Sequence, residues 1–428
     1  MMKTSERVRV VGRRKGTGVL VSLLAVLAVG FGPVAVGPAG ASTTARGFNG
    51  KTITVAGLFP TASFSGAEVG TEAYFQQLNK TNYLQGVKIK FVTVANDQSD
   101  PAAALTAARQ LVTQYQVFAI VPDLSSVNPV TYLAAQKVPY VGEAFDGTYC
   151  SATPSTALWG FGYNGCLLPT SATQVPDGYA DMYSYVKAKT GSSHPTIALF
   201  SADNASGALA AKLQTVSFKG AGFHVVYARA MIPPVASDYT PYVQQLMTAA
   251  NGKQPSTVYC LLAVQCVAIW KDLQNAGFTG TYGTPLGSVP ALTASLQGTV
   301  SSAFYNIAPN PGLSAMQKAI DAVAPGTQLA GYSNVPGYFA ASMFSLAVHN
   351  VQMKKQAITP ANVQKALAVI KWQIPGLVGP ITYPASTVKP TPFCGTFVSY
   401  TGGTIKVVTP YGCTTKSFQV TPEAETAG

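Results

Sequence analysis

Two short, uninterrupted apolar runs with a helix-length segment between them constrain this chain more than any other feature. Residues 117–121 and 138–142 lack the polar alternation of a half-exposed strand. Both therefore read as strands covered on two faces, the signature of a parallel sheet. Residues 128–136 read as the crossover helix between them, since parallel neighbours cannot be joined by a tight turn. The polar loops Pro122-Asp123-Leu124-Ser125-Ser126 and Glu143-Ala144-Phe145-Asp146 then leave the sheet at one carboxyl edge, where such folds bind ligands. Ser125, Ser126, Ala144, Phe145 and Asp146 are expected to form one wall of a small-molecule cleft.

The same rhythm extends in both directions. Upstream lie strands at 51–58 and 87–95 and helices at 66–80 and 102–112. Asp100 is placed to cap the second helix and Pro101 to occupy its first position. These short connections imply a doubly wound sheet. Residues 147–170, with Gly, Pro, Tyr and two cysteines, interrupt the pattern. A second α/β set follows: helix 172–189, strand 196–200, helix 206–219, strand 223–229, helix 238–249, strand 256–262 and helix 263–277. The Gly/Pro/Thr-rich stretch 278–290 reads as a second boundary. Beyond it come a strand at 303–307, helices at 313–323, 337–353 and 360–370, and strands at 378–383, 396–400 and 404–408. Thr401-Gly402-Gly403 makes a hairpin between the last two.

The first 41 residues stand apart. Lys3, Arg7, Arg9, Arg13, Arg14 and Lys15 precede an apolar run at 19–31, and Ala39-Gly40-Ala41 offers a small-residue cleavage site. This is the layout of an export signal cut near Ala41, with a weak twin-arginine hint in Arg13-Arg14. No cysteine precedes Cys150, so no lipidation site adjoins the signal. Removing the segment takes six of 28 basic and one of 16 acidic residues, leaving 22 against 15, a net +7 in place of +12. No basic cluster resembling a nucleic-acid footprint remains, and nucleic acid is not an expected partner. With 47% hydrophobic residues the chain can build a substantial core. In an exported chain six cysteines favour disulfides. Cys150/Cys166, Cys260/Cys266 and Cys394/Cys413 are the expected pairs, because each closes a short loop.

Catalytic and metal signals are sparse. Gly160-Phe161-Gly162-Tyr163-Asn164-Gly165 spells a dinucleotide fingerprint, but Cys166-Leu167-Leu168-Pro169 follows where a helix should open, so the stretch reads as a crossover segment. Ser184 and Lys187 match S-x-x-K, yet the companion motifs of that chemistry are out of order. His194, His224 and His349 are scattered, giving neither a general base nor the convergent donors of a metal site. No cofactor and no catalysis are expected. Phe64, Phe145 and Tyr149 offer rings for stacking on a ligand, and Ser125-Ser126 serves equally well as the cap of the helix at 128–136.

The serial order of these elements resembles the type I periplasmic binding proteins, in particular the leucine/isoleucine/valine-binding branch of ABC transporter substrate-binding proteins. The matching stretches include 53–66, Asn96 to Pro101 with 102–112, 118–126, Val138-Pro139-Tyr140-Val141, 338–348, 359–367 and Gly379-Pro380-Ile381-Thr382-Tyr383. The resemblance implies two Rossmann-like lobes joined by three crossovers, closing on a ligand like a hinged clamp. Residues 51–165 with 288–374 are expected to form lobe 1, and 166–287 with 375–420 lobe 2. Residues 421–428 are expected to be a tail. It also implies a monomer that delivers its ligand to a membrane permease. Ligand contacts carry over to Ser125, Ser126, Ala144 and Asp146, to Asn204 and Ser206 in the loop Asp203–Gly207, and to Gln265 after the strand at 256–262. Two positions depart from the pattern: Ser206 stands where a tyrosine is common, and Val264-Gln265-Cys266 lacks the acid that holds an amino acid's ammonium. Asp146 or Glu143 is left to supply that charge, and a neutral or carboxylate ligand fits equally. A sensing module for a membrane receptor is the alternative reading, and a secreted hydrolase a more distant one.

Overall fold

The computed structural model describes residues 45–150, 158–233, 236–386 and 388–420. The expected signal segment and the 421–428 tail lie outside them.

Lobe 1 begins with β1 (Thr52–Leu58), α1 (Ala67–Asn79), β2 (Lys88–Ala95), α2 (Pro101–Thr113), β3 (Ala119–Asp123), α3 (Val130–Ala135), β4 (Tyr140–Gly142) and β5 (Gly160–Gly162). Its sheet runs β2-β1-β3-β4-β5, parallel throughout. The Asp100 side chain accepts from the Ala103 N–H at 2.8 Å, with Pro101 directly behind it, so the anticipated cap forms. Gly142 is required by the packing of the two strands, because a Cβ there would sit 1.5 Å from the Asp123 carbonyl oxygen. Only glycine lets β4 lie this close to β3, which draws the two ligand-edge loops together.

The chain then enters lobe 2 with β6 (Gln174–Pro176), α4 (Ala180–Thr190), β7 (Thr196–Ala202), α5 (Ala205–Ala221), β8 (His224–Ile232), α6 (Thr240–Met247), β9 (Thr257–Leu261), α7 (Gln265–Asn275), β10 (Thr281–Thr284) and β11 (Thr299–Ala303). It returns to lobe 1 through α8 (Pro311–Asp321), α9 (Asn334–Met353), α10 (Pro360–Leu367), β12 (Lys371–Ile374) and β13 (Val378–Thr382). A third passage brings β14 (Cys394–Thr401), β15 (Thr404–Cys413) and β16 (Ser417–Gln419) back to lobe 2. The second sheet runs β15-β14-β11-β10-β9-β7-β8, parallel from β8 to β11 and antiparallel at β14 and β15. Gly402 and Gly403, both at positive φ, form the expected turn between β14 and β15.

The division of the chain differs from expectation in two places. Thr299–Ala303 belongs to the second sheet, while Val378–Thr382 pairs with Lys371–Ile374 and lies on the lobe 1 side, where the Trp372 indole N–H donates to Ser342 of α9. The Gly/Pro/Thr-rich composition of 278–290 conceals β10, and the strand beyond it begins at Thr299, four residues before its expected start. Gly160–Gly162 is the edge strand of lobe 1 rather than part of a crossover.

Helix α9 anchors lobe 1. Every residue from Asn334 to Ser345 is buried, as expected of an enclosed helical segment. It crosses α1 at two glycines. A Cβ on Gly337 would come 1.9 Å from the Ala67 carbonyl oxygen, and one on Gly70 1.7 Å from that of Asn334. The three disulfides join the anticipated partners, Cys150–Cys166, Cys260–Cys266 and Cys394–Cys413.

Candidate functional site

Parallel strands end on the same side of each sheet, and the loops beyond those ends meet across one cavity of about 330 Å³, within the range of roughly 300–1,000 Å³ usual for small-molecule sites. From lobe 1 come Phe64 after β1, Leu124 and Ser126 after β3, Glu143 and Phe145 after β4, and Tyr163 and Asn164 after β5. From lobe 2 come Asn204 and Ser206 after β7, Leu262 and Gln265 after β9, and Phe304 after β11. The walls are joined directly: the Ser206 hydroxyl donates to the Ser126 carbonyl at 3.2 Å.

Much of the lining is aromatic. Phe64 stacks on Tyr332 at 5.3 Å between ring centroids and leans on Phe145 at 5.7 Å, while Tyr163 meets Phe304 at 5.5 Å. Tyr332 reaches this cluster from the loop before α9. Among the described residues of the lining there is one carboxyl, Glu143, and no Lys, Arg or His.

Glu143 is 4% exposed. The Tyr163 hydroxyl donates to its Oε2 at 2.6 Å. Burial pushes the carboxyl up to about 8, against the opposing pull of that hydrogen bond. Tyr163 is itself driven well above its usual value by burial and by the adjacent carboxyl. At neutral pH the pair is a carboxylic acid beside a phenol, because an ion removed from water without a counter-charge is more costly than a retained proton.

The family of this fold follows from comparison with known proteins. A model of the periplasmic binding proteins matches residues 50–401, most of the chain. The chain belongs to the type I periplasmic binding protein family. No curated protein matches its sequence. Solved structures share the fold at low identity. A possible leucine/isoleucine/valine-binding protein from Rhodopirellula baltica has a TM-score of 0.63 and 15% identity, covering 85% of this chain and 97% of its own. An ABC transporter solute-binding protein from R. palustris, in complex with 4-hydroxybenzoate, has a TM-score of 0.61 and 18% identity, covering 86% and 98%. A fatty acid ABC transporter substrate-binding protein from Thermomonospora curvata has a TM-score of 0.63 and 14% identity, covering 89% and 95%.

In this periplasmic binding protein, Phe64, Ser126, Ala144, Phe145, Asn204, Ser206 and Gln265 line the cavity. Several of their polar groups are already engaged. The Ala144 N–H donates to Asn164 Oδ1 at 2.9 Å, and Asn204 caps α5 by accepting from the Gly207 N–H at 2.8 Å. Gln265 is different, because its Oε1 is buried without a partner. The Cys260–Cys266 bridge ties the end of β9 to the first turn of α7, beside Gln265.

Ser125 and Asp146 were also expected at the ligand, but they are not in the lining of this cavity. The Ser125 Oγ accepts from the Val127 N–H, and its own N–H donates to Asp123. Nor does it stand at a helix start, since α3 begins only at Val130 and its N-cap, Pro129, makes no side-chain cap. Asp146 Oδ1 accepts from Thr148, and Oδ2 accepts from both the backbone and side-chain N–H groups of Asn128. These bonds commit its side chain to holding the loop together. Tyr149 also turns inward, its hydroxyl donating to the Asp123 carbonyl at 3.3 Å. Sequence reasoning missed Tyr163, Asn164, Phe304 and Tyr332 as lining residues. Tyr163 and Asn164 could have been suspected as the residues after an edge strand; Tyr332 carries no local signal.

Ser184 is exposed and donates to the Ala180 carbonyl of its own helix. No group of three His, Cys, Asp or Glu able to hold a metal occurs among the described residues.

Proposed function

We propose that the protein is the extracytoplasmic solute-binding component of an ABC transporter, and that it captures a largely apolar small molecule between its lobes. Hinge closure would present that ligand to a membrane permease, with binding and no turnover. The observation that carries this reading is the cavity, set between two facing carboxyl edges and walled by rings, alkyl side chains and neutral hydroxyl and amide groups. A zwitterionic amino acid fits it poorly. Its ammonium would need an ionised partner, and the single carboxyl in the described lining is Glu143, which burial keeps protonated. The neighbours described with 4-hydroxybenzoate and with fatty acids take cargo with an apolar body, although in both the head group is a carboxylate. Export through the N-terminal segment, release near Ala41 and action as a monomer belong to the same reading.

A thermal-shift screen of amino acids, amides, aromatic acids and aryl ketones tests the ligand class. A ligand at 100-fold its dissociation constant adds about 2.7 kcal/mol, enough to raise the melting temperature measurably. Stabilisation by leucine or isoleucine, with no response to aryl compounds, would refute the apolar reading. Deleting the gene separates transport from sensing, because transport requires that uptake of the responding compound be lost.

A further inference from the structure

The polar end of the ligand can be specified from the one acid in the cavity wall, given the functional reading above. We propose that Glu143 acts as a neutral carboxylic acid and donates its proton to an uncharged oxygen acceptor of the ligand, a ketone, ester or amide carbonyl.

Three observations point this way. First, Glu143 lines the cavity while being 4% exposed, so it can meet a ligand although it is largely withdrawn from water. Second, Tyr163 donates to Oε2 at 2.6 Å. An acceptor role on that oxygen leaves Oε1 to carry the acid proton and to present it to a ligand as a donor. Third, no described lining residue is a Lys, Arg or His that could stabilise the ionised form. The titratable side chains linked electrostatically to Glu143 are the phenols of Tyr163, at the end of β5, and Tyr332, before α9. Both are driven further above their ordinary values by burial and bring no positive charge. A carboxyl held in such an apolar site keeps its proton and becomes a hydrogen-bond donor.

Two other head groups are disfavoured by the same geometry. An ammonium would have to strip the proton from Glu143 first. A carboxylate would enter a site with no cation and an acid in its wall.

Three probes with one skeleton test the assignment: 4-phenylbutan-2-one, 4-phenylbutylamine and 4-phenylbutyrate. Each is titrated calorimetrically into the intact protein at pH 7, in two buffers of different ionisation enthalpy. The ketone is expected to bind tightest, with almost no proton exchanged. Glu143→Ala should weaken it about tenfold, the loss of one hydrogen bond. Glu143→Gln keeps a donor at the same place and should stay within about threefold of wild type; its preserved shape guards against a folding artefact in the alanine variant. Tightest binding of the amine, with about one proton released and affinity lost in Glu143→Gln, would overturn the proposal and make Glu143 an ionised counter-charge. Tightest binding of the carboxylate, indifferent to Glu143→Ala, would overturn it by placing the head group elsewhere. Both results leave the cavity standing as an apolar binding site. Absence of heat and of any melting shift with all three probes would overturn this proposal and the apolar reading together.

Discussion

Glu143 has a quantitative effect on stability that needs no ligand. Its carboxyl is raised from 4.5 to about 8 in the folded protein, so the folded state retains a proton that the unfolded chain releases. Below pH 4.5 both states hold the proton and the group costs nothing. Between 4.5 and 8 the unfolded state gains from ionisation while the folded state does not, and stability falls by about 1.4 kcal/mol per pH unit. Above 8 both are ionised and the deficit levels off, at about 5 kcal/mol if the full shift is realised. Glu143→Gln preserves the acceptor for Tyr163 and removes the titration. The stability difference between variant and wild type should therefore grow in the variant's favour from pH 5 to pH 8. Asp97, Asp123 and Asp146 are also raised by burial, but they are common to both proteins and cancel in the difference. Urea unfolding at four pH values, with the disulfides intact, measures it. Parallel stability curves would refute the reasoning, since they would mean that the folded carboxyl is ionised or hydrated.

Other substitutions probe the remaining structural claims. Gly337→Ala forces a Cβ against the Ala67 carbonyl oxygen and should cost about 1–3 kcal/mol or more through overpacking; an unchanged melting temperature would show that α1 and α9 cross less closely. Asp146→Asn removes one carboxylate oxygen from the Asn128–Thr148 bonding set and should lower stability by about 1–2 kcal/mol. Loss of ligand response without loss of stability in that variant would return Asp146 to the site. Ser206→Ala deletes the bond to the Ser126 carbonyl that joins the lobes. A larger radius of gyration in solution, or ligand affinity reduced severalfold by the loss of about 1 kcal/mol, is the expected result, and no change in either would show that this bond does not hold the jaws.

What could be read from residues alone was local. The Asp100-Pro101 helix start forms as expected, and Thr359-Pro360 repeats it, the Thr359 side chain accepting from the Asn362 N–H. Each needs only neighbours three residues apart. The Gly402–Gly403 hairpin and the three short-loop disulfides have the same character. Strand β10 escapes such reasoning because Thr281-Tyr282-Gly283-Thr284 has the composition of a loop. It is a strand because β9 and β11 pair with it on either side, and that information resides in other parts of the chain.

The sequence by itself determined two successive α/β sets and the carboxyl edge that borders the cavity, because hydrophobic period and capping act over a few residues; their assembly into two lobes was implied only by the resemblance. Tertiary structure alone decided which acid matters. Glu143 and Asp146 stand three residues apart in one polar loop, and nothing local ranks them. Glu143 lies in the cavity wall against Tyr163, while Asp146 bonds to Asn128 and Thr148. Half of the aromatic wall was equally out of reach: Phe64 and Phe145 were expected, but Phe304 and Tyr332 join them from separate loops. Whether a carboxyl is a solvated charge or a buried proton donor depends on the groups packed around it, and those are assembled only when the lobes fold.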